Sequence, residues 1–132
     1  MNIKTSKDLV DEAKREITSL SAAEAKTLYE KGEISFVDIR DIRELWKEGT
    51  IKNATHIPRG MLEFWLDPQS SYYKEKKIEN IKHIVLFCAL GMRSALATKS
   101  LVDMGFKNTS HVNGGFEALK NDGFEIVTKE KK

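Results

Sequence analysis

The stretch that most constrains this chain is His83-Ile84-Val85-Leu86-Phe87-Cys88-Ala89-Leu90-Gly91-Met92-Arg93-Ser94. Ile84 to Phe87 are consecutive apolar residues, the pattern of a strand buried on both faces, as in a parallel sheet. Ser94 to Met104 then read as a helix with Leu96, Ala97, Leu101 and Met104 on its apolar face, and Gly105 stands where a left-handed glycine ends many helices. Between strand and helix lies a loop that opens with the only cysteine, Cys88. Such a loop turns several backbone N–H groups inward and, with the helix N-terminus, makes an anion cradle. A thiolate seated there is stabilised, and the thiolate is the nucleophilic form of cysteine. Gly91 admits backbone conformations closed to other residues. Arg93 brings a fixed charge and donors for an anionic substrate or a charged sulfur.

The 132 residues fit one domain with a sizeable core. A formal net charge of +2 carries no field that would gather nucleic acid or a membrane surface, so neither is expected as a partner. Lys129 to Lys132 read as a frayed charged end. No apolar run reaches the length of a membrane span, and the N-terminal residues lack the apolar segment of a signal peptide. The expected location is therefore the cytoplasm. A single cysteine excludes an internal disulfide and a resolving cysteine within the chain. No spacing of ligand residues suggests a metal site.

Taken in order, Lys7 to Glu16 predict a first helix capped by Ser6, with Leu9, Val10 and Ala13 as its apolar stripe. Ile17 to Leu20 read as a short edge strand. Ser21 and Glu24 make a capping box for a helix that runs to about Lys31 and stops at Gly32. Ile34 to Ile39 read as a strand with Asp38 near its C-terminal end, where sites form in open parallel sheets. Asp41 and Glu44 offer a second capping box, for a helix through about Glu48. Thr55 to Ile57 read as a strand closed by Pro58, Arg59 to Asp67 as a helix stopped by Pro68, and Ser70 to Lys77 as a polar connection. After the helix that follows Cys88, Thr109 to Val112 read as a strand. Asn113-Gly114-Gly115 read as a tight turn into a helix of Phe116 to Asn121, and Phe124 to Val127 close the domain. No internal repeat is present.

Several of these stretches together carry a family resemblance. Cys88-Ala89-Leu90-Gly91-Met92-Arg93-Ser94 resembles the active-site loop of single-domain rhodaneses, C-x-x-G-x-R-[ST]. Val37-Asp38-Ile39-Arg40-Asp41-Ile42-Arg43-Glu44 resembles the family's D-x-R-x-x-x-E signature. Gly49 to Pro58 is similar to its G-H-I-x-G-A-x-x-I-P segment, with Thr50 in place of the usual His and Asn53 in place of Gly, both changes assigned to the local turn. His111-Val112-Asn113-Gly114-Gly115-Phe116 is similar to its V-x-G-G-[FW]. The resemblance implies an α/β rhodanese-like fold, a small central parallel sheet flanked by helices on both faces. It divides the chain into an N-terminal helical extension, residues 1–16, and a rhodanese-like domain, residues 17–132.

The activity the resemblance implies is sulfur transfer. Cys88 thiolate attacks the outer sulfur of a donor, becomes a persulfide, and gives that sulfur to cyanide, a thiol or a protein acceptor. No cofactor beyond this covalent intermediate is implied. The loop amides of Ala89, Leu90, Gly91, Met92 and Ser94 are expected to hold the sulfur and Arg93 to orient the donor; the Ser94 side chain has two readings, a hydrogen bond to the sulfur or a cap on the helix, and capping is favoured. Asp38, Arg40 and Glu44 are expected to hold the loops in place. In the family the segment after the I-P motif lines the site mouth, which makes Arg59 and Trp65 candidate pocket residues, although the aromatic cluster alone reads as core. A Cys–His pair is not favoured: His83 lies roughly 16 Å back along the strand, and His56 and His111 read as surface or strand-end histidines. Three readings compete: a persulfide carrier with a protein acceptor, a non-catalytic binding or regulatory module, and a phosphatase or arsenate reductase. Retention of Cys88, Gly91 and Arg93 opposes the module. The four residues between Cys88 and Arg93, against five in the phosphatases, oppose the last. With Arg93 the only charge in the loop, thiosulfate is expected to bind weakly and an organic persulfide to serve better.

Overall fold

A computed structural model describes residues 2–75, 77 and 83–131. In chain order the elements are α1 (Ser6–Glu16), β1 (Thr18–Leu20), α2 (Ala22–Glu30), β2 (Ser35–Asp38), α3 (Ile42–Glu48), β3 (Thr50–Ile51) and β4 (Thr55–His56). A single 3₁₀ turn at Arg59–Met61 leads to α4 (Leu62–Leu66). Then come β5 (Ile84–Phe87), α5 (Met92–Met104), β6 (Thr109–Val112), α6 (Gly115–Asn121) and β7 (Ile126–Val127). Five strands pair in parallel in the order β1-β6-β5-β2-β4. β3 and β7 form a separate antiparallel pair. This is the expected α/β architecture, with the apolar run of β5 at its centre.

The period-two alternation of strand side chains divides the core into two layers. Val85 and Phe87 of β5 join Phe36, Leu20 and Val112 against α2 and α6. Ile84, Leu86 and, one step past the strand, Cys88 join Val37 and Ile39 against α4 and α5. Cys88 therefore faces the first turn of α5 because it continues the register of Ile84 and Leu86.

Local chemistry accounts for most element ends. Both capping boxes form: Ser21 with Glu24 opens α2, and Asp41 with Glu44 opens α3. Gly105 ends α5 in the left-handed region, at φ 110°. Asn53, where the family pattern has glycine, adopts φ 69°, a conformation asparagine tolerates better than other side chains. Other expectations are corrected. Thr5, not Ser6, caps α1 by accepting from Asp8 N–H. Leu9 is exposed, and Val10 and Ala13 are the buried residues of the helix. α5 starts two residues before Ser94, and Met104 lies on its solvent side while Ser94, Ala95, Ala97, Thr98 and Leu101 are buried. The 59–67 helix is broken into a 3₁₀ turn and α4, with Phe64 exposed. α1 packs against α5, and Glu16 meets Lys99 at 3.6 Å.

At the C-terminal end of β2 lies a fully buried ion pair. Arg40 donates to Asp38 through Nε and Nη2, at 3.0 and 2.9 Å, and to Gly49 O at 2.7 Å. Its guanidinium carbon lies 4.1 Å from the centre of the Phe116 ring. Thr50 donates its hydroxyl to Asp38 Oδ2 at 2.7 Å. The threonine at the family's histidine position is thus a partner of the buried carboxylate as well as a turn residue. Removing one member of such a pair leaves the other charge buried and uncompensated. Asp38→Ala is expected to destabilise the fold by about 3–5 kcal/mol, read as a shift of the urea unfolding midpoint at unchanged slope.

Candidate active site

Cys88 sits directly after β5, with 1% of its surface exposed. Three groups surround its Sγ. The amides of Gly91 and Ser94 donate to it at 3.2 and 3.4 Å, and the thiol reaches Ser94 Oγ at 3.5 Å. Gly91 caps α5 at φ 108°, which lets the chain reverse in one residue and aim both amides at the sulfur. The helix contributes the partial positive charge of its N-terminus at the same point.

The carbonyls of the loop point the other way. Cys88 O accepts from Phe116 N–H at 2.7 Å and Ala89 O from Glu117 N–H at 3.3 Å. The first turn of α6 has N–H groups without helical partners, and the loop supplies their acceptors. Gly115 makes the approach possible: a Cβ there would lie 2.4 Å from Cys88 O and 2.7 Å from Ala89 O. The Gly114-Gly115 pair, expected to serve turn geometry alone, is a docking surface for the cysteine loop.

Arg93 and Glu44 come together. The guanidinium grips the carboxylate through two bonds of 3.0 and 3.1 Å, tying α5 to α3. The bond to Arg93 holds the Glu44 carboxyl below its usual range, and the same bond raises Arg93. The Arg93 side chain remains 44% exposed, beside a loop whose Leu90 and Met92 are 62% and 59% exposed. Asp38 and Arg40 form the buried pair one strand away, and Phe116, under the Arg40 guanidinium, is the residue whose amide binds Cys88 O. Arg59 donates its amide to Ile39 O and pairs its side chain with Glu63 at 2.8 Å. Glu63 also accepts from Ser100 of α5. Trp65 packs on the Cys88 layer with Lys74 and Lys77 over its ring. Among the described residues no hydrogen bond or ion pair joins Arg59 or Trp65 to the 88–94 loop.

Two sequence expectations are overturned. Ser94 does not cap α5; it is the third residue of the helix, fully buried, and its hydroxyl lies between Cys88 and His111 Nδ1, the latter at 3.1 Å. His111 is not a surface or strand-end residue. It is fully buried inside β6, and its Nε2 reaches Ser19 Oγ at 2.8 Å. Burial, with a smaller contribution from Lys14, pushes His111 down to about 4, so the ring is neutral at ordinary pH. The alternation of β6 carries the missed signal: His111 shares the parity that faces α5, whereas Val112 faces the other layer. His83, as its place at the far end of β5 required, bonds Ser110 Oγ at 2.7 Å, away from Cys88. Among the described residues no cluster of three His, Cys, Asp or Glu could hold a metal ion, and no helix is long and apolar enough to cross a membrane.

A strand-end cysteine in a loop of inward amides, on a five-stranded parallel sheet, is an arrangement with known relatives. The profile of the rhodanese-like domain matches residues 21–122, and the chain belongs to that family. It is 30% identical to the thiosulfate sulfurtransferase GlpE of Coxiella burnetii over 101 residues, 76% of this chain and 85% of the relative. Among solved structures it resembles the polysulfide-sulfur transferase homodimer of Wolinella succinogenes, with a TM-score of 0.70 and 32% identity, covering 93% of this chain and 87% of that one. It also resembles a protein of unknown function from Rhodopseudomonas palustris described as a possible tyrosine phosphatase, with a TM-score of 0.88 and 43% identity, covering 96% and 97% of the two chains.

Gly115→Ala tests the docking of the loop. The added Cβ must push the Cys88 and Ala89 carbonyls away, which is expected to cost about 1–3 kcal/mol and to slow alkylation of Cys88 at least tenfold. Gly60→Ala, where a Cβ meets nothing within 4 Å and φ is not positive, is expected to change neither.

Proposed function

We propose that this protein is a sulfurtransferase that carries a sulfane sulfur as a persulfide on Cys88. The observation that carries the reading is the convergence of the Gly91 and Ser94 amides on Cys88 Sγ at the start of α5. Donors fixed in advance around one sulfur stabilise a thiolate, and after transfer a persulfide anion, without reorganising. In the first half-reaction the thiolate attacks the outer sulfur of the donor. The Cys88 S–S bond forms as the donor's sulfur bond breaks, and the leaving group (sulfite from thiosulfate, a thiolate from an organic persulfide) departs with the electron pair. In the second half-reaction cyanide, a thiol or a protein thiolate attacks the outer sulfur and Cys88 leaves as thiolate. The sulfurtransferases among its relatives support this reading.

The rim favours an organic persulfide over thiosulfate. Thiosulfate carries two negative charges, and Arg93, the cation of the loop, is already paired with Glu44. Leu90 and Met92 offer apolar surface instead. The description of the R. palustris neighbour motivates a second reading, phosphoryl transfer through Cys88. The ring that closes on a single sulfur, and an arginine held by a glutamate, weigh against it.

Intact mass after incubation with thiosulfate or an organic persulfide tests the reading. The expected result is a gain of one sulfur atom, removed by cyanide and absent in Cys88→Ser, with no hydrolysis of p-nitrophenyl phosphate. No adduct with either donor would refute sulfur transfer, and Cys88-dependent phosphate release would support the second reading. Steady-state kinetics test the rim. Glu44→Gln keeps the oxygen that caps α3 and frees the Arg93 charge, so the thiosulfate KM is expected to fall several-fold while that for an organic persulfide stays level. A parent KM for thiosulfate in the micromolar range would contradict this account of the rim.

A further inference from the structure

Behind Cys88, away from the rim, runs an unbroken chain of hydrogen-bonding side chains. Cys88 Sγ reaches Ser94 Oγ at 3.5 Å, Ser94 Oγ reaches His111 Nδ1 at 3.1 Å, and His111 Nε2 reaches Ser19 Oγ at 2.8 Å. The first three residues are buried; Ser19, on the edge strand β1, is half-buried. The strand register explains the alignment, since Leu86 of β5, His111 of β6 and Ser19 of β1 are successive partners across the sheet. Cys88 lies two residues beyond Leu86 on the same face, and Ser94 descends onto that face from α5.

One assignment of protons satisfies every member. The thiol donates to Ser94 Oγ, the Ser94 hydroxyl donates to Nδ1, and Nε2–H donates to Ser19 Oγ. We propose that Ser94, His111 and Ser19 form a proton path that takes the Cys88 thiol proton out through the back of the site to the β1 edge. The Cys88 S–H bond breaks as its proton passes to Ser94 Oγ. The Ser94 hydroxyl proton passes to Nδ1, the Nε2 proton passes to Ser19 Oγ, and the Ser19 hydroxyl proton leaves to water. One proton has left and no electrons have changed hands. His111 remains neutral in its other tautomer, and the Ser94 hydroxyl now donates to the thiolate. The charged group facing His111 is Lys14 of α1; burial first, and that charge second, hold the ring at about 4, so the path works through neutral imidazole. The sulfur-transfer reading decides only when in turnover the proton moves: out before the donor is attacked, and back once Cys88 is free. A donor seated at the rim covers the front, and the path leaves the rear open.

His111 acts through Ser94 and is a positioning residue. Its test follows the rate of Cys88 alkylation by iodoacetamide as a function of pH in the parent, His111→Gln and Ser19→Ala, each checked for folding by circular dichroism. Ser19→Ala changes a half-buried edge residue and keeps the test open where His111→Gln fails to fold. With the path broken, the His111 tautomer that leaves the Ser94 hydroxyl free to donate to the thiolate loses its support, and such a donor favours the charged form. The pH of half-maximal rate is expected to rise by about one unit, the size of one hydrogen bond to a charged group. The rate at neutral pH is expected to fall several-fold, and the difference is expected to vanish at alkaline pH. A rate lowered equally at every pH, or an unchanged profile in both variants, would overturn the proposal. Alkylation needs no sulfur donor. Variants that show these shifts, beside a parent that never takes up sulfur, would refute the sulfur-transfer reading and leave the path standing.

Discussion

The hydrogen bond from Phe116 N–H to Cys88 O, 2.7 Å long, fixes the polarity of the whole loop. A peptide chain that curls around one atom can present amides or carbonyls to it, and the two choices have opposite electrostatic sign. Here α6 takes the carbonyls of Cys88 and Ala89 as acceptors for its own first-turn amides. The amides of Gly91 and Ser94 are left to face the sulfur. The arrangement satisfies two needs at once, because the same bonds fill the unpaired groups of one helix end and orient the start of another. It also explains why a residue with no side chain, Gly115, is as important to the site as any residue with one.

The electrostatic environment of Cys88 is made of dipoles more than of net charges. The two arginines nearest the loop already have anions: Arg93 is held by Glu44, and Arg40 by Asp38 with Glu48 at 3.6 Å. His111, which would be a cation if exposed and protonated, is kept neutral by burial. A thiolate here therefore meets fixed N–H groups at close range and little monopole field at long range. Fixed dipoles act at close range, whereas paired and solvent-screened charges exert little pull at a distance. The paired charges serve position instead. Glu44 fixes where α5 begins relative to α3, and the Arg40 guanidinium of the buried Asp38–Arg40 pair lies over the ring of Phe116, the residue whose amide orients the loop.

What could be read from the sequence follows from what is local. The apolar run of β5, both capping boxes and the Gly105 helix end depend on residues within a few positions of one another, and the structure has them where the sequence put them. The loop around Cys88 was legible for the same reason, since cysteine, glycine and arginine fall within six consecutive positions. A Ser94 bond to the sulfur is one of two local readings, but its link to His111, and the roles of His111 and Gly115, were not legible, because each depends on which elements lie side by side. Periodicity shows that His111 faces one layer but not which layer holds Cys88, and β6 enters the sheet between β1 and β5, both distant in sequence from it or from each other. Lone histidine and serine signals stay ambiguous until the strand order brings them together. The helix of residues 59–67 failed for a different reason. Its apolar residues crowd a segment that follows a proline, and the first turn tightened into 3₁₀ geometry there.

The layer between the sheet and α5 is not uniformly apolar. Ile84, Leu86, Ala97 and Leu101 make it apolar, yet Ser94 and His111 cross it, fully buried, from Cys88 towards Ser19. Packing alone would favour apolar residues of similar volume at these positions, since buried polar groups stabilise only as far as their hydrogen bonds offset lost hydration. One turn further along α5, Thr98 shows the less favourable case: its hydroxyl is buried and has no partner. The polar line from Cys88 to Ser19 is closed at every step, and closure needs a histidine that can accept at one nitrogen while it donates at the other. A ring held neutral by its surroundings at ordinary pH meets that need. The register that makes β1 the outer neighbour of β6 then gives the line an end at the edge of the sheet, where a short strand leaves Ser19 within reach of water.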